Sequence, residues 1–206
     1  ERATNPHLKE TLKKIKMYIN TNFCDGGQFG TLSYDTAMKD IKEAKKDLAV
    51  FLKGLRNANR NIEYLWVVEP KETGSWHFHI LFKGGAITDD ELQELWTHGN
   101  THLENIYDVQ GLASYLAPNC KNTDIDGEEN ETEKPAEEEE PQKNSDGIFV
   151  LSKSKQKTER FKFYPAGERI YGKSNGIKKW TEIETTRGEA EVYTEHKQKT
   201  GELSLA

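Results

Sequence analysis

The sequence predicts an α+β fold, a central antiparallel sheet with helices packed on it. Three observations carry this. Apolar residues recur at helical spacing in two segments, from Leu8 to Ile19 and from Ala37 to Leu55. Two runs rich in aromatic and β-branched residues, 62–69 (IEYLWVVE) and 76–82 (WHFHILF), are joined by a short turn-like KETGS. Strand and helix patterns then alternate in the order β-α-β-β-α-β, followed by a helix and a late strand.

Each element has its own signal. Leu8, Leu12, Ile15, Met17 and Ile19 predict a short amphipathic helix, ended by the glycines of CDGGQFG. GTLSY is a short strand. Asp35 or Thr36 is placed to cap the long helix that carries Ala37, Ile41, Ala44, Leu48, Phe51, Leu52 and Leu55. Pro70 closes the first long strand, and Gly84 and Gly85 close its partner. Thr88 with Glu91 forms a capping box for a helix over DDELQELW. A strand around THLENIY follows, then a helix over VQGLASYLA that stops at Pro118. ERFKFYP alternates like one more strand. Two crossover helices on an antiparallel sheet match the ferredoxin-like split pattern.

The net charge of −6 conceals a division. Residues 121–146 hold 11 acids against 3 bases, and of the large apolar residues only Ile125. Such a stretch buries too little to offset its ordering entropy and reads as a disordered insertion. The rest of the chain is slightly basic, so global charge does not argue against a nucleic-acid partner. No apolar run approaches the roughly 20 residues a membrane span needs. The N-terminus opens ERATNPHLKE without an apolar signal core. Cys24 and Cys120 lack metal-ligand spacing, which disfavours a disulfide scaffold and a cysteine zinc site and fits a reducing, cytoplasmic setting.

The sharpest chemical feature is His77-Phe78-His79. Alternate residues of a strand share a face, so both imidazoles point together. Trp76, Phe78, Ile80 and Phe82 then face the core, and the histidines the side away from it. Glu69, across the turn, is the natural third ligand. Two imidazoles and a carboxylate suit Mn²⁺ and tolerate Mg²⁺. The plainer reading is a pair of surface histidines. Tyr115 lies beside the apolar stripe Val109, Leu112 and Leu116, where its phenol could reach a metal-bound phosphate or simply pack on the sheet. Arg160, Lys162, Lys173, Lys178 and Lys179 stand among Phe161, Phe163, Tyr164, Tyr171 and Trp180. Basic groups neutralise phosphates and aromatics stack on unpaired bases, though the same pattern describes an ordinary strand with solvated lysines.

Together these residues carry a resemblance. TLSY, a long helix, a strand ending Glu-Pro, His-Phe-His, and a helix bearing Tyr-Leu resemble the HUH endonucleases. More narrowly they resemble rolling-circle replication initiator (Rep) proteins of Gram-positive plasmids and related mobile elements. The likeness covers about 28–120 and resumes at 159–180, in RFKFYPAGERIYGKSNGIKKW. It implies a metal-dependent endonuclease and strand transferase that nicks single-stranded DNA at an origin or hairpin through a 5′-phosphotyrosine link. His77 and His79 match the motif histidines, Glu69 a further ligand position, and Tyr115 the nucleophile. A host helicase is an implied partner, and a membrane is not. The organisation expected is an N-terminal helix and linker (1–27), a nuclease core (28–120), the acidic insertion (121–148), a basic and aromatic remainder (149–182) and a tail (183–206).

The chain also departs from the family. Pro118 and Asn119 stand where relatives carry a lysine or a second tyrosine, and Ser114 precedes Tyr115 where some have lysine. Asn175 and Trp180 replace the usual arginine and proline near the last motif. Tyr107 and Tyr171 compete with Tyr115. Two other readings stand beside the initiator: a non-catalytic single-stranded nucleic-acid module of RNA-recognition topology, and a relaxase or single-tyrosine transposase, although the third histidine usual in relaxases is missing.

Overall fold

The computed structural model describes residues 7–24, 26–58, 61–118 and 160–181. The acidic insertion, most of the tail and the lysines at 153, 155 and 157 lie outside the described residues. The elements run α1 (Leu8–Asn22), β1 (Gln28–Leu32), α2 (Ile41–Ala58), β2 (Glu63–Pro70), β3 (Trp76–Lys83), α3 (Asp89–Leu95), β4 (Thr101–Asn105), α4 (Val109–Leu116), a one-turn 3₁₀ helix (Arg160–Phe163) and β5 (Tyr171–Lys173). The five strands form one open sheet in the order β4-β1-β3-β2-β5, and every neighbouring pair is antiparallel.

β3 lies at the centre and is buried along nearly its whole length. Its odd and even positions serve two different layers. Phe78 meets Trp66 and Trp96 edge-on, and Trp96 in turn meets Phe51 of α2. That face is covered by α2 and α3. The other face carries His77, His79 and Leu81. It lies under α4, whose Tyr115 ring sits edge-on to His79, and under α1, which packs against α4. The histidines are therefore buried, contrary to the strand-parity argument, which turned them away from the core. That argument allowed the sheet one buried face, and α1 with α4 supplies a second. On α4 itself Ala113 and Leu116 are the buried residues, while Val109 and Leu112 are only half-buried.

Local chemistry sets the element ends. Thr88 accepts from the Glu91 amide while the Glu91 carboxylate accepts from the Thr88 amide, completing the expected capping box. α2 begins later than expected, because Asp40 rather than Asp35 or Thr36 accepts from the first-turn amides of Lys42 and Glu43. The backbone before it is committed elsewhere: Met38 and Lys39 carbonyls accept from the Trp76 amide and indole. In the β2–β3 hairpin Gly74 adopts φ 76°, a left-handed conformation that glycine takes without strain.

ERFKFYP does not form a strand. Its Arg160–Phe163 portion makes the 3₁₀ turn, and the edge beside β2 is taken by β5 instead. Tyr164 is drawn inward, where its hydroxyl donates to the Val68 carbonyl at 3.2 Å and its ring meets Trp76. The Ser-Asn-Gly-Ile-Lys stretch closes this edge. Ser174 Oγ accepts from the Tyr64 amide, Ile177 is buried, and Asn22 of α1 exchanges two hydrogen bonds with the Lys178 backbone.

Candidate metal centre

The ladder brings the site together. Glu69 and His77 are directly opposed in the β2–β3 register, and His79 is opposed to Val67 on one side and Thr31 on the other. Opposed residues share a face, and so do residues two apart. Glu69, His77 and His79 thus converge, all three buried. His79 Nε2 is 2.9 Å from Glu69 Oε2 and 3.0 Å from His77 Nε2, and His77 Nε2 is 3.7 Å from the same carboxylate oxygen.

The chemistry of this donor set suits a cation. Thr31 Oγ1 lies 3.2 Å from His79 Nδ1. In the tautomer whose Nδ1–H donates to Thr31, His79 Nε2 presents a lone pair to the Glu69 carboxylate. A cation among these atoms turns opposed lone pairs into ligands. Neighbouring ligands of an octahedral ion bound at about 2.1 Å lie about 3 Å apart, which suits the two shorter sides. The donor set therefore fits a divalent ion of the Mn²⁺ or Mg²⁺ type, with room for substrate oxygen. Phe29 stacks on the His79 ring, centroids 5.1 Å apart, and holds its plane. Sequence reasoning does not single out Thr31 or Phe29. The one signal it offers is that they belong to the strand GTLSY and its approach.

Tyr115 stands at this cluster. Its ring centroid is 5.8 Å from that of His79, at 74°. Burial pushes its phenol up to about 12, Glu69 adds to the rise, Arg160 opposes it, and Glu104 adds a little more. The phenol is therefore protonated at neutral pH and needs help to react. The competing tyrosines lie elsewhere. Tyr107 is exposed, with its hydroxyl 3.3 Å from Asn105 Nδ2, and Tyr171 packs on Tyr18 at the β5 edge.

The basic residues divide. Arg160 belongs to the metal centre, with one guanidinium nitrogen 4.0 Å from Glu69 Oε1 and the other 3.1 Å from Glu72 Oε1. The four lysines are exposed. Lys162 lies over the Phe163 ring and Lys179 over Trp180, while Lys173 donates to the Ile177 carbonyl. Lys173 pairs with Leu65, four positions along β2 from Glu69 and so about 13 Å away. Lys173, Lys178 and Lys179 thus mark the far end of the sheet edge rather than the metal centre.

Known proteins are similar over the same region. Residues 27–124, just under half of the chain, match the family model of the replication-associated protein ORF2. The match includes Glu69, His77, His79 and Tyr115 and ends before Arg160. No curated protein matches the chain. Among solved structures, the hypothetical protein ORF119 from Sulfolobus islandicus rod-shaped virus 1 is similar at 17% identity over 56% of this chain and 98% of that one, with a TM-score of 0.39. No helix among the described residues is long and apolar enough to cross a membrane.

Proposed function

We propose that this protein is a replication initiator of the HUH type, a metal-dependent endonuclease and strand transferase that nicks single-stranded DNA at an origin or hairpin. The observation that carries the reading is the convergence of Glu69, His77 and His79 with the Tyr115 ring set against His79. The match to a replication-associated family over the same residues supports it. So does the strand order: β1 and β2 run parallel with β3 between them, and β3 and β4 run parallel with β1 between them, as a ferredoxin-like split arrangement requires.

Glu69, His77 and His79 hold the divalent ion, which supplies Lewis-acid polarisation of the scissile phosphate. Thr31 and Phe29 fix the His79 ring. Tyr115 Oη attacks phosphorus in line with the P–O3′ bond. That bond breaks, the phenol proton departs, and O3′ leaves as a hydroxyl after gaining a proton. The product is a 5′-phosphotyrosine whose reversal rejoins strands. The exposed lysines at 162–179 and the aromatics beside them track the incoming strand.

The test is a denaturing gel of protein mixed with a single-stranded DNA pool labelled at the 5′ or 3′ end, with Mn²⁺ or EDTA. A Mn²⁺-dependent adduct that retains only the 3′-labelled fragment is the expected result. Metal-independent retention of DNA or RNA with no adduct would instead establish the binding-module reading.

A further inference from the structure

Arg160 is the first described residue after the 119–159 stretch and lies beyond the family match, yet its side chain reaches the metal centre. It is mostly buried, at 17% side-chain exposure. Among the described residues its close ion-pair partner is Glu72, which is 69% exposed on the β2–β3 turn. Glu69 Oε1, at 4.0 Å, is at the limit of an ion pair and already faces the two histidines. The buried Nε–H of Arg160 has no hydrogen-bond acceptor among the described residues. Its field also reaches the Tyr115 phenol. A guanidinium with one donor buried and unused, and another held by a solvent-exposed carboxylate, is poorly satisfied where it stands. A phosphate diester offers what is missing: two anionic oxygens matched to the planar fork.

We propose that Arg160 is a catalytic residue that takes the scissile phosphate of the DNA, and that Glu72 occupies its fork until DNA arrives. This rests on the nickase reading and adds a second cationic arm to it, contributed by the chain after the acidic stretch. Glu72, on the tip of the hairpin that carries Glu69 and His77, acts as an internal competitor for the phosphate.

The experiment uses an oligonucleotide cut by the wild-type protein in Mn²⁺ and a second carrying an uncharged methylphosphonate at the cut linkage. Affinities are measured in EDTA, so that side chains alone read the phosphate charge. Wild type is expected to bind the methylphosphonate about tenfold more weakly. Arg160→Ala is expected to bind the natural strand about tenfold more weakly and to lose nothing further on the methylphosphonate. Glu72→Gln, at an exposed position that folding tolerates, is expected to tighten the natural strand about two- to fivefold and leave the methylphosphonate unchanged. Equal losses on methylphosphonate substitution in wild type and Arg160→Ala, or Glu72→Gln gains on both strands, would overturn the assignment while leaving the nickase reading intact. A wild-type protein that forms no adduct on any strand removes that reading and this inference together.

Discussion

His77 and Glu69 face each other across the β2–β3 ladder, and their ligand atoms come within 3.7 Å. The hairpin turn between Pro70 and Trp76 sets that register, so the length of Lys71–Ser75 is part of the metal centre. Inserting one residue into a strand of period two would move Glu69 or the histidines to the α2 side.

Mn²⁺ is expected to stabilise the fold. At a hundred times the dissociation constant the gain is about 2.7 kcal/mol, read as a rise in the unfolding midpoint. His77→Ala and His79→Ala should each abolish that rise. Calorimetric titration showing full Mn²⁺ binding by both variants would remove Glu69, His77 and His79 from the ligand set.

Tyr115→Phe is expected to lower covalent adduct formation at least about a thousandfold while Mn²⁺ affinity stays at the wild-type level. Tyr107→Phe serves as the comparison and should leave adduct yield unchanged. An adduct that survives in Tyr115→Phe and disappears in Tyr107→Phe would move the nucleophile to the exposed site.

Thr31→Val keeps the shape of the side chain and removes the oxygen facing His79 Nδ1. Loss of a partner that orients a ligating imidazole is expected to weaken Mn²⁺ binding about 10- to 100-fold. Unchanged affinity would show that stacking on Phe29 alone holds the ring.

Burial raises the Tyr164 phenol well above its ordinary value, with Glu69 adding to the rise and Arg160 opposing it. Tyr34 is raised by burial and by Asp47, whose carboxylate accepts its hydroxyl at 2.9 Å. A raised folded-state pKa means the native state holds its proton more tightly than the unfolded chain. The contribution is therefore intact below about pH 10 and falls as pH rises toward the folded-state values. Urea midpoints should decline above about pH 10. Tyr164→Phe should cost about 1 kcal/mol at neutral pH, through the hydrogen bond to Val68, and show a shallower alkaline decline.

The ligand set is legible in the sequence because it is local: two histidines at i and i+2 after a short turn, and a carboxylate just before it. Its burial is not. Parity along β3 shows which residues share a face, but not which faces are covered. The cover comes from α1, whose stripe of Leu8, Leu12, Ile15 and Ile19 is visible in the sequence without its destination. The aromatic alternation of ERFKFYP suggests a strand because pattern alone does not see that Tyr171–Lys173 already occupies the β2 edge. Arg160 at the metal centre is out of reach for another reason. It lies 88 residues from Glu72, and no periodicity records a contact of that range.

β3 is hydrogen-bonded on both sides, to β1 and to β2. Its amides, including those of His77 and His79, are enclosed by the most protected part of the sheet and should exchange with solvent hydrogen only when the whole domain opens. Tyr115 belongs to an eight-residue helix, shorter than an isolated helix needs for stability in water, which depends on side-chain contacts with the sheet and α1. Its amides should exchange through local opening at a much lower free energy. The ligand platform and the attacking phenol thus keep separate clocks, and α4 can lift to admit or release a strand while the three ligands stay in register.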